Sequence, residues 1–413
     1  MIGARDQVCK PGNSVRRKFP FFCQQPDVAY LDSAATTQKP SVVVDSLCES
    51  MSFINANVHR GAYSLSAQAS ERYEEARKDI SKFIGAVGSE NIVFVKGATE
   101  GINLVARGYE HAIKEGDVIL LSLLEHHSNI VPWQMLAKRC NASIEFVEIH
   151  QDGTLNVEDY REKVSRLKPR IIAVTQLANS IGTVTPIKEL VEVGKAGGAC
   201  VVVDGSQGVV HLGVNVDDLG CDFYVFSGHK IYGPTGVGIL YGRSESLALL
   251  EPLLGGGDMI SYVTTEGFGL AEIPQRFEAG TPAFHEAIAL GAAIRFLNQF
   301  SWKDIRSHEQ HIMQNAYDML QSQKDITIYG PGIKNGLQAG GISFDIKGVH
   351  PHDFATVADA HGVQIRAGNH CAMPTLRALG VSATVRASFG LYSSVEDIVK
   401  LERAIVAARK MFA

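Results

Sequence analysis

The strongest restriction on how this chain can fold is a series of short, almost unbroken apolar runs. They lie at residues 92–95, 118–121, 144–149, 171–174, 200–203, 223–226 and 237–241. A strand wetted on one side alternates polar and apolar side chains. A strand apolar at nearly every position has to be covered on both faces, as in a mostly parallel sheet between layers of helices. The segments between carry helical spacing, at Val43, Leu47, Met51 and Ile54 and again at Tyr73, Ala76, Ile80 and Phe83. Residues 186–195 read as a crossover helix. The expected class is α/β.

After about residue 295 the pattern changes. A long helical stretch at 302–323 precedes strands at 341–346, 363–366 and 384–389, with a helix at 351–361 between the first two. The last helix is expected to start at Ser394, with Asp397 three positions on as a weak capping box. We expect three parts: an N-terminal segment 1–25, a large domain 26–295 and a small α+β domain 296–413.

Charge and cysteine content narrow the function classes. A net charge of -5 leaves no basic footprint for nucleic acid. No apolar run approaches the length of a membrane span. The start carries Arg5, Asp6 and Lys10 without an apolar signal core, so secretion is not expected, and residues 1–18 read as a ragged end. The 7 cysteines are odd in number and scattered, without a CxxC pair. That points to a reducing, cytoplasmic setting and away from a disulfide framework or a structural metal site.

In an open α/β sheet, ligands sit beyond the carboxyl ends of the strands. Four features fall there. "VKGATEGINLVA" places Gly97, Ala98 and Thr99 where a helix begins and where free N–H groups would hold a phosphate. "CVVVDGSQGVVH" ends a strand on Asp204, with Gln207 close behind, a carboxylate suited to a protonated ring nitrogen. "LLEHHSNIVPW" offers His126 and His127, one of which can stack on an aromatic ligand, metal ligation being the competing role. "VFSGHKIYGPTGVGIL" sets Lys230 among apolar and glycine-rich neighbours, where desolvation frees its amine. A phosphate cradle, a ring-nitrogen acid, a stacking ring and an aldehyde-binding lysine together match what pyridoxal 5'-phosphate (PLP) asks of a protein.

These stretches, with "YLDSAATTQKP", "NVHRGAYSLS", "FEAGTP", "RAGNHCAMP" and "VRAS", resemble the group II, SufS-like cysteine desulfurases of the aminotransferase class V family, from about Phe19 onward. The resemblance implies a fold-type I PLP-dependent transferase that works as a homodimer. It implies that Lys230 holds the cofactor aldehyde, Asp204 the ring nitrogen and Gln207 the ring hydroxyl, and that His127 stacks on the ring. Thr99, Ala98 (through its N–H), Ser227 and His229 would hold the phosphate, joined by Thr281 from across the dimer. Asn179, Arg386, His59 and Arg366 would line the substrate pocket. Cys371, just before a short helix with Pro374 near its start, would be the nucleophile that takes sulfur from L-cysteine as a persulfide. Lys230 would move the Cα proton.

The family also suggests iron–sulfur cluster assembly and a sulfur acceptor of SufE or SufU type. Ala98, Gln176 and Asn369 depart from the threonine, histidine and histidine common at these places. Selenocysteine lyase is the alternative activity. An aminotransferase or kynureninase-like reaction sits poorly with Cys371 in its motif, and a non-catalytic sulfur scaffold with Lys230 and Asp204 both present.

Overall fold

A computed structural model describes residues 11–412. The expectations on Arg5, Asp6, Cys9 and Lys10 lie outside the described residues. The apolar runs form one seven-stranded sheet: β1 (Ile92–Val95), β2 (Val118–Ser122), β3 (Ser143–Val147), β4 (Ile171–Thr175), β5 (Cys200–Asp204), β6 (Phe223–Ser227) and β7 (Gly238–Gly242). Their spatial order is β1-β7-β6-β5-β4-β2-β3. All neighbours are parallel except β7, which runs antiparallel to both β1 and β6.

The alternation of side chains shows why the runs are continuously apolar. Val93, Ile119, Leu121, Ile171, Val202 and Val225 enter one core with Ile102, Val105 and Trp133 of the helices Ala98–Gly108 and Val131–Cys140. Their neighbours Phe94, Leu120, Ile172, Val203, Tyr224 and Phe226 enter the other, with Tyr73, Ile80, Leu190 and Leu290. At about 25 cal/mol per Å² of apolar area, both faces stabilise the sheet, and neither tolerates a polar side chain cheaply.

A second, antiparallel sheet comprises β8 (Ile326–Tyr329), β9 (Gly341–Ile346), β10 (Arg366–Gly368) and β11 (Thr384–Ser388), in the order β8-β9-β11-β10. Its core takes Ile312, Leu320, Phe344, Val385, Leu401 and Ile405, and also Ala29 and Leu31 from far upstream. The strand expected at 363–366 is two pieces. Val363–Gln364 pairs in parallel with Ala29–Tyr30, while Arg366–Gly368 changes partner to β11. Strand β3 stops at Val147 because Ile149 leaves to bridge Leu155.

The chain from residue 11 is not ragged. The helix Asn13–Arg16 is anchored by Arg16, whose guanidinium donates to Asp397 at 2.8 Å and to Val28 O at 2.6 Å and lies 4.0 Å over the Phe22 ring. Asp397 also accepts the Ser394 N–H at 2.9 Å, the reciprocal half of the expected capping box, and the helix follows at Val395–Phe412. Among the described residues, no helix is long and apolar enough to cross a membrane.

Candidate active site

Strands β1, β2, β4, β5 and β6 all point the same way, so the residues after their carboxyl ends share one rim of the sheet. After β6 the chain makes one 3-10 turn, Gly228–Lys230. Gly97 and Gly238 let the backbones close up here, since a Cβ on Gly238 would sit 2.5 Å from the Gly97 Cα. Ser227 is buried, and its Oγ accepts the Ala98 N–H at 2.9 Å. The N–H expected to face a phosphate is thus already engaged with a second cradle residue. Thr99 is exposed at the helix start.

Burial pushes the Lys230 ammonium below the ordinary lysine range. Asp204 and Cys371 oppose that shift, and Arg386 and Arg366 add to it, so all four lie within electrostatic reach of Lys230. Asp204 is buried and accepts the Ser206 N–H at 2.9 Å on one oxygen. Gln207 is buried and donates to Ala34 O at 2.8 Å. His229 is pushed down to about 4 by burial, then by Lys230 and Lys39.

The paired histidines separate. His126 is pushed down to about 4 by burial and by Lys230, with Asp204 opposing. His127 instead belongs to the cysteine loop: its N–H donates to Cys371 O at 2.7 Å, and its Nε2 accepts the Met373 N–H at 3.1 Å. The ring expected to stack on the cofactor, that of His127, is thus bonded at Nε2 to the cysteine loop. The ring in the field of Lys230 and Asp204 is that of His126. The turn His127–Asn129 decides which ring points where.

Cys371 sits between β10 and the helix Met373–Ala378, which has proline in its first turn. Both His370 and Cys371 hold left-handed backbone, at φ 52° and 56°, a conformation non-glycine residues adopt rarely. The loop is held by the two His127 bonds and by Asn369, whose Oδ1 accepts the Cys371 N–H at 2.9 Å. Arg366 Nη2 stands 3.6 Å from the Cys371 Sγ.

Arg386, fully buried on β11, donates to Asn179 O at 2.9 Å and to Asp32 at 3.0 Å. Its Nε has no partner among the described residues, nor has the buried Asn179 Oδ1, although Asn179 Nδ2 donates to His370 O at 2.8 Å. Two residues bonded to each other thus keep a free donor and a free acceptor among the described residues. That fits a ligand offering a carboxylate and a hydroxyl or amine, as a PLP-bound amino acid does.

Two further expected site residues are His59 and Thr281. His59 Nε2 contacts Glu74 at 3.1 Å. Glu74 pairs with the buried Arg77, which forks onto Glu278 of "FEAGTP" at 2.7 and 2.9 Å. Thr281, three residues on, is exposed beside a hollow of about 470 Å³ lined also by Glu100, Gly236 and Val237. Gln176 turns away from the rim, its Oε1 accepting the Tyr224 hydroxyl at 2.5 Å.

Sequence reasoning missed Asp32, Lys39 and Glu125. Glu125 is fully buried and accepts from Ser122 Oγ at 2.5 Å, Asn129 Nδ2 at 2.6 Å and the Thr175 N–H at 3.0 Å. Burial pushes it up to about 8 against those donors. The only signal was its place directly before His126 at a strand end.

The aminotransferase class-V family model matches residues 29–401. A probable cysteine desulfurase of Halalkalibacterium halodurans is 43% identical, covering 97% of this chain and 98% of its own. One from Staphylococcus aureus strain Mu50 is 42% identical, over 97% of each. The apo structure of a cysteine desulfurase from Thermococcus onnurineus superposes with a TM-score of 0.92 at 38% identity, over 99% of this chain and 100% of that one. The Escherichia coli cysteine desulfurase CsdA gives 0.89 at 35%, over 97% and 98%. The fold is the α/β architecture expected of a fold-type I transferase. The chain belongs to the aminotransferase class-V family, in its cysteine desulfurase branch of enzymes.

Proposed function

We propose that the protein is a PLP-dependent cysteine desulfurase of group II, SufS-like type, which converts L-cysteine to L-alanine and leaves the sulfur on Cys371 as a persulfide. The observation that carries this reading is the run of contacts from Cys371 to Arg366 at 3.6 Å, from Arg366 across the β10–β11 pair to Arg386, and from Arg386 to Asn179 O at 2.9 Å. The large and small sheets support a division into domains 26–295 and 296–413, with Cys371 contributed by the second.

When bound, the cofactor supplies an electron sink at the substrate Cα. The residues proposed to hold it are Lys230, Asp204, Gln207, Ser227, His229, Thr99 and Ala98, with His126 rather than His127 against its ring. Thr281 is exposed beside a hollow lined also by Glu100, Gly236 and Val237. For Thr281 this favours the reading in which a homodimer brings it to the partner's cofactor.

Arg386 presents its unpartnered Nε to the substrate carboxylate, and Asn179 presents Oδ1 beside it. The Lys230 amine, which burial keeps free of its extra proton, moves the Cα proton. Arg366 stands against Cys371 as its thiol attacks the substrate sulfur. The Cβ–S bond breaks, an S–S bond to Cys371 forms, and the Cys371 proton ends on alanine. The persulfide would pass to an acceptor of SufE or SufU type in the cytoplasm, for iron–sulfur cluster assembly.

The test is alanine release from L-cysteine by the PLP-loaded protein with a reductant, wild type against Cys371→Ala. Loss of release in the variant with the cofactor absorption kept is the expected result. Equal release from both would overturn the role of Cys371.

A further inference from the structure

Lys39 is half-buried and has no carboxylate partner among the described residues. Its ammonium donates instead to neutral oxygens: His229 O at 3.0 Å, Thr37 O, and Thr36 Oγ1 at 3.5 Å. The same His229 carbonyl also accepts from the Thr37 N–H at 3.0 Å, Thr37 Oγ1 at 3.0 Å and Thr36 Oγ1 at 3.2 Å. A carbonyl has two lone pairs, so four donors on one oxygen describe a clamp.

His229 directly precedes Lys230. Thr37 Oγ1, while donating to that carbonyl, accepts the Tyr232 N–H at 2.9 Å. Tyr232 holds left-handed backbone at φ 65°. The segment Thr36–Thr37–Lys39 therefore grips the backbone on both sides of Lys230, at the end of the 3-10 turn that aims it. A cation on the last carbonyls of such a turn is a known stabilising arrangement. Burial pushes Lys39 down to about 8, as expected of an ammonium bonded only to neutral acceptors.

We infer that Lys39 is a positioning residue for Lys230, acting with Thr37 through the His229 carbonyl. The inference rests on the reading of Lys230 as the cofactor lysine. Lys39 bonds neither the cofactor's predicted partners at the ring nor the substrate side chains, so it acts on where the Lys230 amine sits.

The experiment follows the capture of PLP at Lys230, where the amine joins the aldehyde with loss of water, by the absorption change on mixing with cofactor-free protein. Alanine release from L-cysteine is measured in parallel. Lys39→Met is expected to take up PLP to the same extent as wild type but roughly tenfold more slowly, the size of effect a small misplacement produces. The kcat should fall by a similar factor with KM within about twofold, the mark of lost positioning rather than lost binding. Lys39→Arg should restore most of both rates. The double variant Thr37→Val/Lys39→Met should lose less than the product of the two single losses, because both act through one carbonyl.

Wild-type capture rate and kcat in Lys39→Met, or multiplicative losses in the double variant, would overturn the inference. If Lys39→Met does not fold, Lys39→Gln removes the charge with a donor kept, and unchanged rates there overturn it equally. Wild-type protein that captures PLP but makes no alanine would sink the desulfurase reading and leave the capture rate to decide this one.

Discussion

Arg366 and Cys371 are five residues apart, yet the guanidinium Nη2 comes back to 3.6 Å from the Sγ. Two consecutive left-handed residues make that return possible. Strand β10 fixes Arg366 by pairing it with Arg386 across β10–β11, so the thiol is presented against one guanidinium while the next addresses the substrate site.

Replacing Arg366 by Met should therefore remove a charge-assisted contact to sulfur without disturbing the cofactor. Such contacts contribute about 1.5–3 kcal/mol, which corresponds to a fall in kcat/KM of roughly 10- to 100-fold. The check is steady-state alanine release together with the absorption spectrum of bound PLP. A normal rate with a normal spectrum would show that the 3.6 Å contact is idle.

Glu125 yields a stability prediction. The Trp133 indole N–H donates to Asn129 Oδ1 at 2.9 Å, which forces Asn129 to offer its Nδ2 to Glu125. The Thr175 N–H on the other carboxyl oxygen is also a pure donor. An amide in place of Glu125 must turn its NH2 toward one of them. Glu125→Gln should cost about 1–3 kcal/mol, the penalty for an unmet buried donor, read from urea unfolding. A variant as stable as wild type would mean that the network tolerates an amide flip.

Most of the large sheet was legible because its apolar runs have no other way to be buried. The runs were read one residue short at Ser122, Thr175, Asp204 and Ser227, since the apolar pattern stops one residue before the strand does. The positions of Asp204 and Lys230 could be read for the same reason, since one closes a strand at the rim and the other lies in the turn after one, whereas the role expected of Cys371 came from the family motif. The choice between His126 and His127 was not legible, because neighbouring side chains diverge according to a turn that spacing does not specify. Nor were Asp32, Lys39 and Glu125. Asp32 and Lys39 each depend on a partner more than a hundred residues away, and Glu125 on a strand-end network.

The divergence of the two histidines can be tested directly. His126→Ala should change the absorption of bound PLP and weaken its retention, because the ring lost is the one in the field of Lys230. His127→Ala should leave that absorption intact and lower alanine release, because what it loses are two bonds on the Cys371 loop. Reversed phenotypes would restore the stacking role to His127.

Acid should loosen the same loop through His370. Its Nε2 faces Thr384 O at 3.1 Å and Oγ1 at 2.9 Å, and its buried Nδ1 has no partner among the described residues. Burial first, then Arg386 and Arg366, push it down to about 3. Above the ordinary histidine value of about 6.5 the ring is neutral in both folded and unfolded chains, and its contribution is fully present. Below that value the unfolded chain takes up a proton that the folded chain refuses, so stability falls as pH falls toward about 3. Wild type should lose on the order of 1 kcal/mol per pH unit relative to His370→Gln between roughly pH 6 and 4. Urea unfolding of both proteins across that range gives the difference directly, and the comparison cancels carboxyl groups such as Glu125 that titrate in the opposite sense. A difference that stays flat with pH would mean that His370 takes up its proton in the folded state as easily as in the unfolded one.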